Sequence, residues 1–353
     1  MTRLPLVLFP LTALLLAACG GGGSGGSNSS NTATSSGTSK LSLRLSDAPV
    51  EHASKVCIAI SALRLKRVDD IEEHLWTPLS LLPAVSGQDE CLPDGYSIPL
   101  DSSGAPRFLY LDLLHYQQGN SHLLLSDSDI ASGDYEQLRL KVEDGRSMTL
   151  DGTPEHPSSY VLDDNGHTLP LEVPSSELKL GSFTASADGA LSYQIEFNLR
   201  HALVLPGHGR YYKLKPSGVE LLTVASLSSL QGEVADTLCA GDLSQAGVYL
   251  YPARGSSTLP YQGLSSTSEA GGPQYSTLLQ QATSSSAASY QLFYLQPGSY
   301  DLALICNASD DAVVDEDESS TFVPQVGSLI TSFNIDPITT PHYTADLLIP
   351  LAE

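Results

Sequence analysis

Leu41-Ser42-Leu43-Arg44-Leu45-Ser46-Asp47-Ala48-Pro49-Val50 is the stretch from which the fold is read. Leucines at 41, 43 and 45 alternate with polar residues, the period of a strand that rests one face on a core. A helix would scatter the same three leucines around its axis. Ser46-Asp47-Ala48-Pro49 reads as a turn, with the Asp47 carboxylate expected to accept from backbone amides inside it. Six residues on, Val56-Cys57-Ile58-Ala59-Ile60 is apolar at every position, as a central strand covered on both faces should be.

Outward from there the same grammar recurs. Strands are expected at Leu75–Leu79, Phe108–Leu114, Tyr135–Val142, Tyr160–Leu162, Ser176–Phe183, Leu191–Phe197 and Tyr212–Val224, while Ser126–Ala131 reads as a short helix or a loop. Asp151-Gly152, Asn165-Gly166 and Asp188-Gly189 are hairpin signals, because glycine takes positive φ without steric cost. Helical periodicity is scarce. The chain is therefore all-β, with two sandwich-like domains at 40–225 and 226–353.

The first 39 residues are different. Met1-Thr2-Arg3 is a short basic start, and the fifteen residues Leu4–Ala18 are almost wholly apolar, short of the ~20 residues of a spanning helix. Residues 1–18 thus read as a signal peptide. Leu16-Ala17-Ala18-Cys19 resembles the lipobox of bacterial lipoproteins, which implies cleavage before Cys19 and lipid on its thiol. Residues 19–39 continue as a Gly/Ser tract that cannot offset the entropy of ordering, a leash of roughly 25 Å by random-coil scaling. Gly22–Gly26 matches the GxSxG pattern by letter, but a nucleophile elbow needs a strand before it and a helix after it. The membrane is therefore the first partner, reached through the lipid. Gly20 after the cysteine points to the outer membrane in a Gram-negative host.

Charge excludes one class of partner. With 17 basic and 40 acidic residues the net charge is −23, and such a surface repels nucleic acid. The segment 226–353 holds one basic residue, Arg254, against 14 acidic ones. Beyond Cys19 four cysteines remain in a chain bound for an oxidising compartment, so two disulfides are expected. Three pairings exist. Cys57–Cys91 with Cys239–Cys306 is favoured because each bridge then stays inside one domain, worth ~3–4 kcal/mol apiece in the chain-entropy picture.

Several landmarks of the first domain resemble an uncharacterised domain family of bacterial surface lipoproteins. They are Leu-Ser-Asp-Ala-Pro-Val at 45–50, Leu111-Asp112-Leu113, Leu123-Leu124-Leu125, the run Ser132–Leu140, Phe197-Asn198-Leu199-Arg200 and Tyr212–Pro216. The resemblance implies a lipid-anchored β module and supplies no catalytic residues. In the second domain, Tyr290–Leu304 places Pro297-Gly298 between two strands with Tyr300 just after. That resembles the carboxypeptidase-regulatory, transthyretin-like sandwich, with Pro297 and Gly298 expected in a type II turn.

Candidate sites are sparse. Asp315 and Asp317, within Asp315-Glu316-Asp317-Glu318, are the candidate calcium ligands; the EF-hand spacing fails, and a solvated acidic loop is the competing reading. No other cofactor is indicated. Nine histidines are scattered, with His115 near Asp112 and His122 near Asp127 as the closest acid–base pairings. Ser176–Lys179 matches SxxK, but on a strand these two side chains point to opposite faces. Trp76 is expected in a core rather than as a sugar platform. The chain is read as a non-enzyme: an envelope lipoprotein that binds or scaffolds, its partner an envelope protein or a glycan. The alternatives are a carbohydrate-binding adhesin, which calls for an exposed row of aromatics, and an envelope hydrolase, which calls for a clustered acid–base pair.

Overall fold

The computed structural model describes residues 37–48, 50, 52–68, 74–83, 91–206, 209–266, 268–281, 287–311, 322–336 and 341–349. Almost all of its regular structure is strand. In the first half these are β1 (Thr38–Ala48), β2 (Ala53–Arg67), β3 (His74–Trp76), β4 (Leu109–Asp112), β5 (His122–Ala131), β6 (Gly133–Val142) and β7 (Tyr160–Asp163). They continue as β8 (Thr168–Glu172), β9 (Glu177–Leu180), β10 (Phe183–Ala185), β11 (Ala190–Asn198), β12 (Leu203–Val204), β13 (Tyr212–Leu214) and β14 (Val219–Thr223). The one α-helix among the described residues, α1, is a single turn at Leu199–Ala202. The second half supplies β15 (Ser228–Val234), β16 (Gly247–Pro252), β17 (Tyr275–Leu278), β18 (Ala288–Leu295), β19 (Gly298–Ile305), β20 (Val326–Ile335) and β21 (His342–Thr344).

Two sheets face each other in the first half. One runs β14-β11-β1-β5, with β1 parallel to β11 and antiparallel to β5. The other is built on β2, whose residues pair with β6 and β7 along one edge and with β3 and β4 along the other. Leu41, Leu43 and Leu45 are fully buried between the sheets with Ile58, Ile60 and Leu63. Each such side chain contributes about 1.5–3 kcal/mol of burial. The opposite face of β2 is covered too: Cys57 and Ala59 pack with Cys91, Phe108, Tyr110 and Tyr160. That is why the sequence at 56–60 carries no polar residue.

The second half forms two further sheets, β18-β15-β21 and β17-β16-β19-β20, around Leu230, Val248, Leu250, Tyr290, Leu302 and Leu304. No strand is shared with the first half's sheets. Disulfides join Cys57 to Cys91 and Cys239 to Cys306, with Cα–Cα distances of 5.8 and 5.3 Å.

The structure departs from the expected elements where the chain changes sheets. Ser126–Ala131 is neither helix nor loop; it is the end of β5, paired with Thr38–Leu41. Its polar residues disguise it. A bulge at Asp127, whose φ is 46° and whose amide donates to Ser42 Oγ at 3.0 Å, absorbs the register shift. Tyr212–Val224 divides at a 3-10 turn, Pro216–Gly218, which sends β13 into one sheet and β14 into the other. Of the three hairpin dipeptides, Asn165-Gly166 alone joins paired strands, β7 and β8. Asp188-Gly189 carries the chain between sheets, and Asp151-Gly152 turns a surface loop closed by a Thr149–Pro157 bridge.

Pro297-Gly298 also corrects the expectation. β18 and β19 belong to different sheets, and Gly298 is not among the residues with positive φ; Tyr294 is, at 58°. Glycine is needed at 298 for space, since a Cβ there would lie 3.0 Å from the Tyr300 ring.

Candidate functional site

The alternation of β1 places Ser42, Arg44 and Ser46 on the face away from the leucine core. Register then builds a polar row across three strands: Ser46 is opposite Glu196 on β11, and Glu196 is opposite Glu220 on β14. The neighbouring row is Arg44, Gln194 and Leu222. In an isolated sandwich this face would meet water. Here the second sandwich covers much of it, and Ser46 and Gln194 are buried.

The covering is polar and local. A bulge in β18, shown by its register shift against β15, holds Tyr294 at positive φ, a strained backbone for a bulky residue. It projects Phe293 and Tyr294 onto the first sandwich. Tyr294 Oη donates to the Gly119 and Asn120 carbonyls at 2.8 and 3.2 Å. Phe293 sits so close to Gly119 that a Cβ there would meet its ring at 2.9 Å. Gln296 Nε2 donates to Glu220 at 3.0 Å, and Arg200 Nη2, on α1, donates to the Ala308 carbonyl at 3.0 Å while lying over the Tyr249 ring.

Between these contacts lies a recess of about 430 Å³. The first sandwich lines it with Asp47, Glu196, Asn198, Lys215, Glu220 and Leu222; the second contributes Gln274, Tyr275, Leu278, Gln291, Leu292 and Phe293. Glu196 accepts from Ser46 Oγ, which in turn accepts from Gln194 Nε2 at 2.5 Å. Loss of solvent, reinforced by the charge of Glu220, pushes the Glu196 carboxyl up to about 8 against the Ser46 hydrogen bond. Burial likewise raises Asp47 and, at the rim, Glu220.

Asp47 does not serve the turn, as its sequence context suggests. It ends β1 and accepts from Gln117 Nε2 at 2.8 Å across the sandwich, with the Leu199 backbone amide also hydrogen-bonded to its carboxyl. The reason is its place opposite Phe197, on the inward side of the sheet where no turn amide reaches. Glu196, Glu220, Asn198 and Gln117 escape sequence reading. They are ordinary polar positions on a strand or loop until the second sandwich closes over them.

The other candidates disperse. His122 is buried, bonded to the Leu82 carbonyl, and Asp127 bonds Ser42 instead. Asp112 is buried as well and accepts from the Val56 and Leu114 amides. Of the histidine–carboxylate pairs among the described residues, His156–Asp151 and His167–Asp163 each lie within one surface turn, and His52–Asp164, at 4.0 Å, is exposed. Ser176 ends a 3-10 turn, and Lys179 stands three residues on, within β9. Trp76 is 7% exposed, in the core. Among the described residues no group of three or more His, Cys, Asp or Glu side chains could hold a metal ion, and no helix is long and apolar enough to cross a membrane. Cys19, Asp315 and Asp317 lie outside the described residues.

Comparison with solved structures yields distant likenesses. The TIE protein of Bacillus anthracis is 10% identical with a TM-score of 0.16, over 89% of this chain and 34% of that one, so the chain spans about a third of its length. A Bacteroides thetaiotaomicron protein provisionally described as polysaccharide-binding is 8% identical with a TM-score of 0.22, over 89% and 93%. The fimbrial anchor protein Mfa2 of Porphyromonas gingivalis is 8% identical with a TM-score of 0.16, over 84% and 99%. Likeness at this level carries no functional argument. No curated protein matches the chain. A family profile does match, over residues 38–216, from β1 to the turn that separates β13 from β14. The chain belongs to the family described as a domain of unknown function, DUF4382.

Proposed function

We propose that this protein is a lipid-anchored component of the bacterial cell envelope that binds a ligand in the recess between its two sandwiches and catalyses no reaction. The observation that carries the reading is the recess itself. It is concave, and its lining is chiefly polar, with Leu222, Tyr275, Leu278, Leu292 and Phe293 as the large apolar and aromatic side chains among convergent hydrogen-bonding groups. The anchor at Cys19 and the Gly/Ser tract before β1, which begins at Thr38 rather than after residue 39, hold this site near a membrane, and residues 226–353, read as a transthyretin-like module, provide its second wall.

The carbohydrate reading finds less support. It calls for an exposed row of aromatics, whereas every described Trp, Tyr and Phe is buried or half-buried.

Two measurements test the proposal. Cys19→Ala should release the protein from the membrane fraction. Ligand-observed NMR with a mixed fragment library should show binding that is lost in Gln280→Trp, an exposed substitution at the recess mouth. Binding that ignores this variant would overturn the assignment of the site.

A further inference from the structure

The recess holds more acceptors than the protein has donors for. The buried Oδ1 of Asn198, which lines the recess level with Ala48 on the adjacent strand, has no hydrogen-bond partner. The Ser46 hydroxyl meets one oxygen of Glu196, and Gln296 meets one oxygen of Glu220. A buried acceptor without a donor destabilises the free protein, so a ligand that brings N–H groups relieves a standing cost.

Charge selects among such donors. Glu196 and Glu220 place two carboxyl groups on one wall, and the whole chain carries −23, a field that gathers cations and turns anions away. Opposite them stand Tyr275 and Phe293, whose ring faces favour a cation, and Leu278 and Leu292, which favour an apolar stem. Resting on the recess as the ligand site, we propose that it binds an ammonium or guanidinium group carried on an apolar chain.

The acid–base state of the wall sharpens the expectation. The groups facing Glu196 are Asp47, Glu220, Lys215, His201, Tyr275 and Tyr294, with Arg44 beside Tyr294. Burial lowers the His201 imidazole, which bonds the Leu264 carbonyl. Lys215 is the one ammonium in the wall and opposes a second. Glu196, titrating at about 8, must give up its proton to pair with the ligand. Affinity therefore rises with pH, by up to about tenfold per unit, and levels above pH 8.

Isothermal titration of the full-length protein in detergent tests this with n-butylammonium and n-butylguanidinium, against butyrate, butanol and cellobiose. Both cations should bind with proton release and the other three should not. Glu196→Gln should weaken cation binding about 10- to 100-fold and flatten its pH dependence. Glu220→Gln, at the rim, should weaken it less and tests the same point if the first variant folds poorly, while Lys215→Gln should tighten it. A Gly-Lys-Gly peptide that binds more tightly than n-butylammonium identifies a protein side chain as the source of the cation; the reverse identifies a small amine. Cation binding unchanged in all three variants would mean adsorption to an acidic surface and overturn the proposal. Cellobiose or butyrate bound in its place, and blocked by Gln280→Trp, would overturn the cation and keep the recess. If no probe of any kind binds, both readings fall.

Discussion

Replacing Glu196 by Gln should change how stability depends on pH, with a sign that runs against the usual carboxylate. In the folded chain this carboxyl titrates at about 8, against an ordinary 4.5. Between those values the folded form keeps its proton while the unfolded chain has lost it, so stability is fully present below about pH 4.5 and falls as pH rises toward 8. The slope is about 1.4 kcal/mol per pH unit, and the whole span sets a ceiling of about 5 kcal/mol. Glu196 is half-buried beside an open recess, so screening by water reduces the expected loss to ~2–3 kcal/mol. Glutamine keeps the shape and the contact to Ser46 but cannot ionise. The variant should match the parent near pH 4 and exceed it by that margin at about pH 8.5. Urea unfolding of both proteins at three pH values measures the difference. Asp47 is raised chiefly by its own burial, a contribution common to both proteins. Parallel stability–pH curves for the two proteins would refute the reasoning.

Other substitutions probe the frame around the site. Gly145→Ala should cost more than about 3 kcal/mol in thermal unfolding, because its Cβ would lie 1.8 Å from the Ser159 carbonyl oxygen. Replacing Cys57 and Cys91 together by Ser, which opens a link across 34 residues, should cost about 4 kcal/mol by the same assay. Arg200→Met removes a buried charged donor from the Ala308 carbonyl and should loosen the docking of the two sandwiches by about 2–3 kcal/mol, read as faster proteolysis between residues 223 and 228.

The frame was legible because it is local. Leu41, Leu43 and Leu45 are buried as their alternation demands, and the unbroken apolar run at 56–60 marks a strand with cores on both sides. Where the reading failed, a backbone partner far along the chain overruled local chemistry. Ser126-Asp127-Ser128-Asp129 looks like a loop until Thr38–Leu41 supplies its hydrogen bonds, and Pro297-Gly298 looks like a hairpin until its two strands join different sheets. The family landmark at 197–200 was visible as letters. That Arg200 reaches across to Ala308, 108 residues away, was not.

The ten residues from Leu41 to Val50 show the division most clearly. Sequence alone determined that leucines face inward and that Ser42, Arg44 and Ser46 face outward, because side-chain direction in a strand follows from a two-residue period. Tertiary structure alone decided that part of the outward face is not a solvent face. Ser46 meets Glu196 only because β11 lies parallel at its side, and both are shielded only because Phe293 and Tyr294 arrive from the second sandwich. Desolvation depends on what covers a residue, and that cover is encoded some 250 positions away.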